Sequence, residues 1–137
     1  MQSPTPRTVV DFLKYGEDGS LYLEGHRCRD CGAVYFGRRS TCSKCFSRSR
    51  MDAVAAPPRG HLYAYTIVHR SFPGVETPFI HAVVDVEGGG ALRGTLLGVP
   101  PDPDDIEMGM PISITFEDAG QTDREGNRYM TYFFRPA

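Results

Sequence analysis

The stretch CRDCGAVYFGRRSTCSKC, residues 28–45, decides how the chain is read. It holds all four cysteines in the spacing C-x2-C-x10-C-x2-C. Each C-x2-C turn aims two thiolates at one point, and two such turns facing each other complete a tetrahedral shell suited to zinc. Gly32, directly after the first pair, suits a turn that needs positive φ. The expected ligands are therefore Cys28, Cys31, Cys42 and Cys45. Redox dithiols or an iron cluster are the alternatives at this stage. Four thiolates leave no open coordination position, so a zinc ion here is structural rather than catalytic.

The surroundings of this stretch set its charge apart. Residues 26–50 carry seven basic side chains and one acidic, a net of +6, whereas residues 51–137 carry six basic and twelve acidic, a net of -6. The basic side chains, Arg38 and Arg39 among them, could meet a phosphate group or be a solvated surface. A chain of 137 residues has room for a modest core, to which a metal staple adds stability. No run of eighteen apolar residues exists and the N-terminus has no basic, apolar leader, so a cytoplasmic protein with no membrane association is expected.

Before the cysteines, TVVDFLKY (8–15) places Val9, Phe12 and Leu13 on one helical face, predicting a short amphipathic helix ended by Gly16 and Gly19. After them, the run Ala55-Ala56-Pro57-Pro58-Arg59-Gly60 reads as a linker. From His61 onward the apolar period becomes two. Ile80, Ala82, Val84 and Val86 share one face, as do Leu92, Gly94 and Leu96, and Ile112, Ile114 and Phe116. With 62–68 and 129–134 these give five antiparallel strands, interrupted by the proline-rich, acidic 100–108. Five strands with that break suit a small closed barrel of the OB type better than a sandwich. The expected fold is thus mainly β: an N-terminal helical segment (1–25), a zinc ribbon (26–56) and a five-stranded barrel (57–137).

Catalytic signatures are missing. The sequence has no G-x-S-x-G, phosphate-loop or H-E-x-x-H pattern, and Gly88-Gly89-Gly90 reads as a strand turn. His61, His69 and His81 lie on or beside predicted strands without triad or metal spacing, and are expected to be partly buried or at a rim. A ribbon plus an aromatic-bearing barrel also describes a single-strand nucleic-acid binder, but a net of -6 on the barrel disfavours a phosphate-tracking groove. The closing strand 129–135 is apolar on both faces. Met130, Tyr132 and Phe134 are expected to point inward, leaving Tyr129 and Phe133 outside as a partner interface.

Taken in order, C-x2-CG…C-x2-C, GHLYAYTIVHR, TPFIHAVVDVEGGGALRGTLLG, MGMPISITFED and YFFRP resemble a family of rubredoxin-like zinc-ribbon and OB-fold proteins, catalogued as a domain of unknown function. The resemblance covers roughly Val9 to Pro136. It implies zinc on the four cysteines, and a non-catalytic subunit that helps a thiolase-fold or lipid-transfer-protein-like enzyme form its acyl-CoA site. The implied chemistry is carbon–carbon bond cleavage or formation, foremost retro-aldol cleavage of a steroid side-chain-type acyl-CoA. Thiolase and hydroxymethylglutaryl-CoA synthase complexes are further possibilities. A free-standing acyl-CoA or single-stranded nucleic-acid binding module is the alternative. The family often carries a proline-rich run after the first knuckle, where this chain has Tyr35-Phe36-Gly37-Arg38-Arg39.

Overall fold

A computed structural model describes residues 5–37, 39–48 and 51–137. Ten strands appear in chain order: β1 (Arg7–Thr8), β2 (Leu13–Tyr15), β3 (Leu21–Cys28), β4 (Val34–Phe36), β5 (Met51–Ala56), β6 (Arg59–Val68), β7 (Phe79–Val86), β8 (Ala91–Leu96), β9 (Pro111–Thr122) and β10 (Arg128–Pro136). A 3-10 turn, Pro103–Asp105, lies in the proline-rich break, where the Asp102 side chain accepts from the Asp104 amide at 2.9 Å.

The five expected barrel strands are present as β6 to β10. They run β10-β8-β7-β6-β9, and β9 pairs again with β10, so the sheet closes on itself. Closure depends on one parallel contact, Phe134 opposite Leu96, in a barrel otherwise antiparallel. The period-two residues form the interior: Ile80, Ala82, Val84, Val86, Leu92, Leu96, Ile112 and Ile114 are all buried, and Phe134 is fully enclosed. Strand β6 belongs to two pairings, with β7 along its length and with β9 through Arg59–His61. A register shift between Leu62 and Ala64 bends it there and leaves Tyr63 outside, 64% exposed.

The N-terminal helix is not formed. Arg7–Thr8 pairs in parallel with β10 and Leu13–Tyr15 pairs with β3. Three consecutive β-branched residues, Thr8, Val9 and Val10, in so short a segment make a poor helix nucleus. The edges of β10 and β3 offer backbone partners instead: the Val9 amide donates to the Met130 carbonyl at 2.9 Å. The helical face dissolves accordingly, with Leu13 buried opposite Leu23 while Val9 is 54% exposed.

The ribbon is a sheet centred on β3. Strand β5 runs along one edge of it, and β2 and β4 share the other end to end. Only Pro57 and Pro58 separate β5 from β6. Ribbon and barrel join through aromatic rings. Phe12 meets Phe36 of β4 at 5.7 Å and Tyr132 of β10 at 5.9 Å between centroids, and Tyr132 meets Phe134 at 5.8 Å. The β7–β8 turn packs against β4 at this seam. Gly90, at φ 86, lies so close to Phe36 that an added Cβ would stand 2.7 Å from its ring.

Candidate metal centre and surrounding surface

The metal site is built from two similar knuckles. In the first, at the tip of the β3–β4 hairpin, the Gly32 amide donates to the Cys28 carbonyl at 2.9 Å and the Cys28 amide to the Ala33 carbonyl at 2.8 Å. In the second, after β4, Phe46 donates to Cys42 and Cys42 to Ser47, both at 2.9 Å. The β3–β4 hairpin thus carries the first knuckle at its tip, and the second follows β4. Both knuckles need a left-handed residue after their second cysteine. Gly32 takes φ 81 freely, but the second knuckle places Phe46 at φ 62 with its ring 78% exposed.

The four sulfurs lie within 4.8 Å of one another, with Cys28 and Cys45 Sγ 3.7 Å apart and Cys31 and Cys42 Sγ 3.5 Å apart. A tetrahedron with Zn–S bonds of about 2.3 Å has edges of about 3.8 Å, so the cage already has the size of a zinc shell. Cys28 and Cys42 are buried, Cys31 is half-buried and Cys45 is exposed. The Tyr35 hydroxyl and then the Cys45 amide draw the Cys42 thiol down to about 6. The Ser47 amide also favours a Cys45 thiolate, but desolvation and hydrogen bonds to Cys31, Cys42 and Cys28 push Cys45 up to about 12. Cys42 thus ionises readily while Cys45 resists, a balance that a bound dication reverses.

Tyr35 is the contributor that sequence reasoning missed. Its hydroxyl lies 3.4 Å from Cys42 Sγ and 2.8 Å from Ser43 Oγ, and it accepts from the Ser43 amide at 3.2 Å. Its ring lies 4.3 Å beneath the Arg39 guanidinium. A tyrosine seven residues before a cysteine carries no recognisable sequence signal; β4 brings it there. Arg39 is exposed on this ring, and Arg38 lies outside the described residues. Another ribbon cation, Arg29, is paired with Asp52 at 2.7 Å. Asp30 accepts from the Ser47 hydroxyl and so ties one knuckle to the other.

The remaining sequence-predicted residues lie on the barrel. His61, His69 and His81 are all exposed, further out than expected, because His61 and His81 occupy the outward positions of β6 and β7. Tyr132 packs on the core beside Phe134, whereas Tyr129 and Phe133 are half-buried. The Tyr129 hydroxyl donates to Asp123 at 3.1 Å and its ring lines a shallow hollow with Val9. The N-terminal segment covers Tyr132, through Phe12.

Two protein-family models match the chain: the ChsH2 rubredoxin-like zinc ribbon domain over residues 20–51, and the ChsH2 C-terminal OB-fold domain over residues 53–117. The chain belongs to the ChsH2 zinc-ribbon and OB-fold family. The zinc-ribbon match and the sulfur cage agree on a structural zinc, which the four cysteines are positioned to hold. The second match ends within β9, and in this ChsH2-family barrel β10 completes the closure. The chain is similar to a chain in the solved structure of an "Ltp2-ChsH2(DUF35) aldolase", at 31% identity and a TM-score of 0.64, covering 84% of each. A DUF35 domain-containing scaffold protein of Methanocaldococcus jannaschii is 29% identical over 83% of this chain and 81% of its own length. The benzoylsuccinyl-CoA thiolase subunit BbsA of Thauera aromatica is 28% identical over 91% of this chain and 84% of its own.

Proposed function

We propose that the chain is a non-catalytic subunit that binds a thiolase-fold enzyme and helps form its acyl-CoA site, in making or breaking a carbon–carbon bond of an acyl-CoA. The observation that carries this reading is the likeness, over 84% of both chains, to a component of an Ltp2-ChsH2(DUF35) aldolase. The named thiolase subunit of Thauera aromatica, matched over 91% of this chain, supports it independently. The titratable groups fit a supporting role: the shifted carboxylates Asp18, Glu24, Glu117, Asp118 and Asp123 sit in surface ion pairs and turns. Zinc fixes the ribbon, Tyr129 and Phe133 meet the partner, and Arg39, with Arg38, draws the CoA nucleotide or an acidic patch of the partner.

Among the possible reactions we favour retro-aldol cleavage of a steroid side-chain-type acyl-CoA, on the family resemblance and the aldolase relative. Such a cleavage breaks the Cα–Cβ bond of a β-hydroxyacyl-CoA into a carbonyl compound and a shorter acyl-CoA, and consumes no free CoA. Thiolysis of a β-ketoacyl-CoA consumes one. Affinity purification of the tagged chain from its native host, with mass spectrometry of what accompanies it, is expected to yield a thiolase-fold partner. Assaying that complex with and without added CoA separates aldolase from thiolase. Recovery of RNA, or of a lone chain carrying CoA, would overturn the subunit reading in favour of a free-standing binding module.

A further inference from the structure

One barrel feature is used neither by the zinc site nor by the ribbon seam. A groove of about 520 Å³ opens between residues 75–80, which lead into β7, and residues 95–101, which leave β8. Its walls are Val75, Pro78, Phe79, Leu97, Val99 and Pro101. That volume lies within the range of small-molecule sites, roughly 300–1,000 Å³. Beside it the connection from β6 to β7 turns on itself, the Val75 amide donating to the Phe72 carbonyl at 3.1 Å. The turn leaves Phe72 82% exposed, and Val75, which lines the groove, 43% exposed. Apolar side chains so placed on a loop mark a surface that is covered in use.

The charge of the lining narrows what covers it. Among the described residues, Glu76 is the single charged residue of the lining, and no lysine or arginine joins it. A carboxylate at the rim repels the pyrophosphate and 3′-phosphate of a CoA, whose natural counterpart is the +6 ribbon. An uncharged acyl group meets no such penalty and gains by leaving water. We propose that this groove takes the acyl portion of the acyl-CoA, with the thioester and nucleotide outside it. The inference rests on the acyl-CoA reading above and assigns that reading's substrate to a place on this chain.

The test uses the full zinc-loaded chain, titrated by amide NMR with CoA, acetyl-CoA, octanoyl-CoA and benzoyl-CoA. The expected result is chemical-shift change at Val75, Phe79, Leu97 and Val99 that grows from acetyl to octanoyl and benzoyl, while CoA alone leaves these amides unmoved. Val75→Asp, at an exposed position that spares the fold, is expected to weaken octanoyl-CoA binding at least fivefold. Groove amides silent to octanoyl-CoA at millimolar concentration, or an unchanged affinity in Val75→Asp, overturn the proposal. Partner capture is read separately. If Val75→Asp loses the thiolase-fold partner while its acyl titration stays normal, the groove is a docking surface and the acyl assignment fails. If the wild-type chain captures no such partner, the subunit reading fails whatever the titration shows.

Discussion

Around the zinc, two aromatic side chains carry opposite consequences. Tyr35 supplies a hydroxyl to Cys42 Sγ at 3.4 Å, and such outer contacts orient a ligand and tune its charge. Tyr35→Phe keeps the ring beneath Arg39 and removes the hydroxyl, so zinc affinity is expected to fall about tenfold with the fold intact. Competition with a chromogenic chelator measures this. Phe46 sits at φ 62 with its ring 78% exposed, so it bears left-handed strain without burying its side chain in return. Relief of such strain is worth about 1–2 kcal/mol, against roughly 0.5–1 kcal/mol for the added freedom of glycine in the unfolded chain. Phe46→Gly is therefore expected to hold or raise the melting temperature of the zinc-loaded protein by a few degrees. Phe46→Ala, which keeps the strain, is expected to bring no gain. A clear drop in Phe46→Gly would mean that the ring has a structural partner.

Among the elements, the hairpin that closes the barrel depends on a single carboxylate. Asp123 accepts from the Glu125 amide at 2.9 Å, from the Asn127 amide at 2.8 Å and side chain at 2.9 Å, and from the Tyr129 hydroxyl at 3.1 Å. The Asn127 side chain, then its amide, hold the carboxyl down to about 2 from an ordinary 3.8. A depressed carboxylate stabilises the fold above its unfolded pKa. The contribution here is complete above about pH 4 and fades as pH falls through about 2. Asp123→Ala is expected to bring that loosening to neutral pH, seen as faster amide exchange at residues 125–129 with the barrel core unaffected. The two ends of the chain also show what sequence can reveal. The barrel was legible because Ile80 to Val86 and Ile112 to Ile114 alternate strictly, and one buried face leaves a single register. Residues 7–15 were not. Arg7–Thr8 pair with β10, more than a hundred residues away, Leu13–Tyr15 turn back onto β3, and Val9, Phe12 and Leu13 match a helical period by spacing alone.

For the whole molecule, the cysteine spacing announced the metal site, while the seam that orients it against the barrel had no local signal. Phe12, Phe36 and the β10 pair Tyr132 and Phe134 come from three separate stretches and meet only in the fold. This seam accounts for one face of the closing strand, since Phe134 and Tyr132 belong to it. Phe133 projects from the other face, half-buried beside the outward Arg135–Glu117 ion pair of 3.0 Å. An aromatic in such a position contributes little to the core of its own chain, yet one or two of them can dominate an interface. Phe133→Asp is therefore expected to leave zinc content and melting temperature within a few degrees of the wild type. In the same variant, capture of the thiolase-fold partner is expected to fall at least tenfold, and the complex's turnover with it. High salt separates this contact from the charge asymmetry. Attraction between exposed charges is screened beyond about 8 Å at physiological ionic strength, so Arg39→Glu should slow association chiefly at low salt. The Phe133→Asp defect should persist at every salt concentration, because it removes apolar contact. A Phe133→Asp protein that unfolds would place the ring in the core, and one that folds and still captures the partner would move the interface to another face of the barrel.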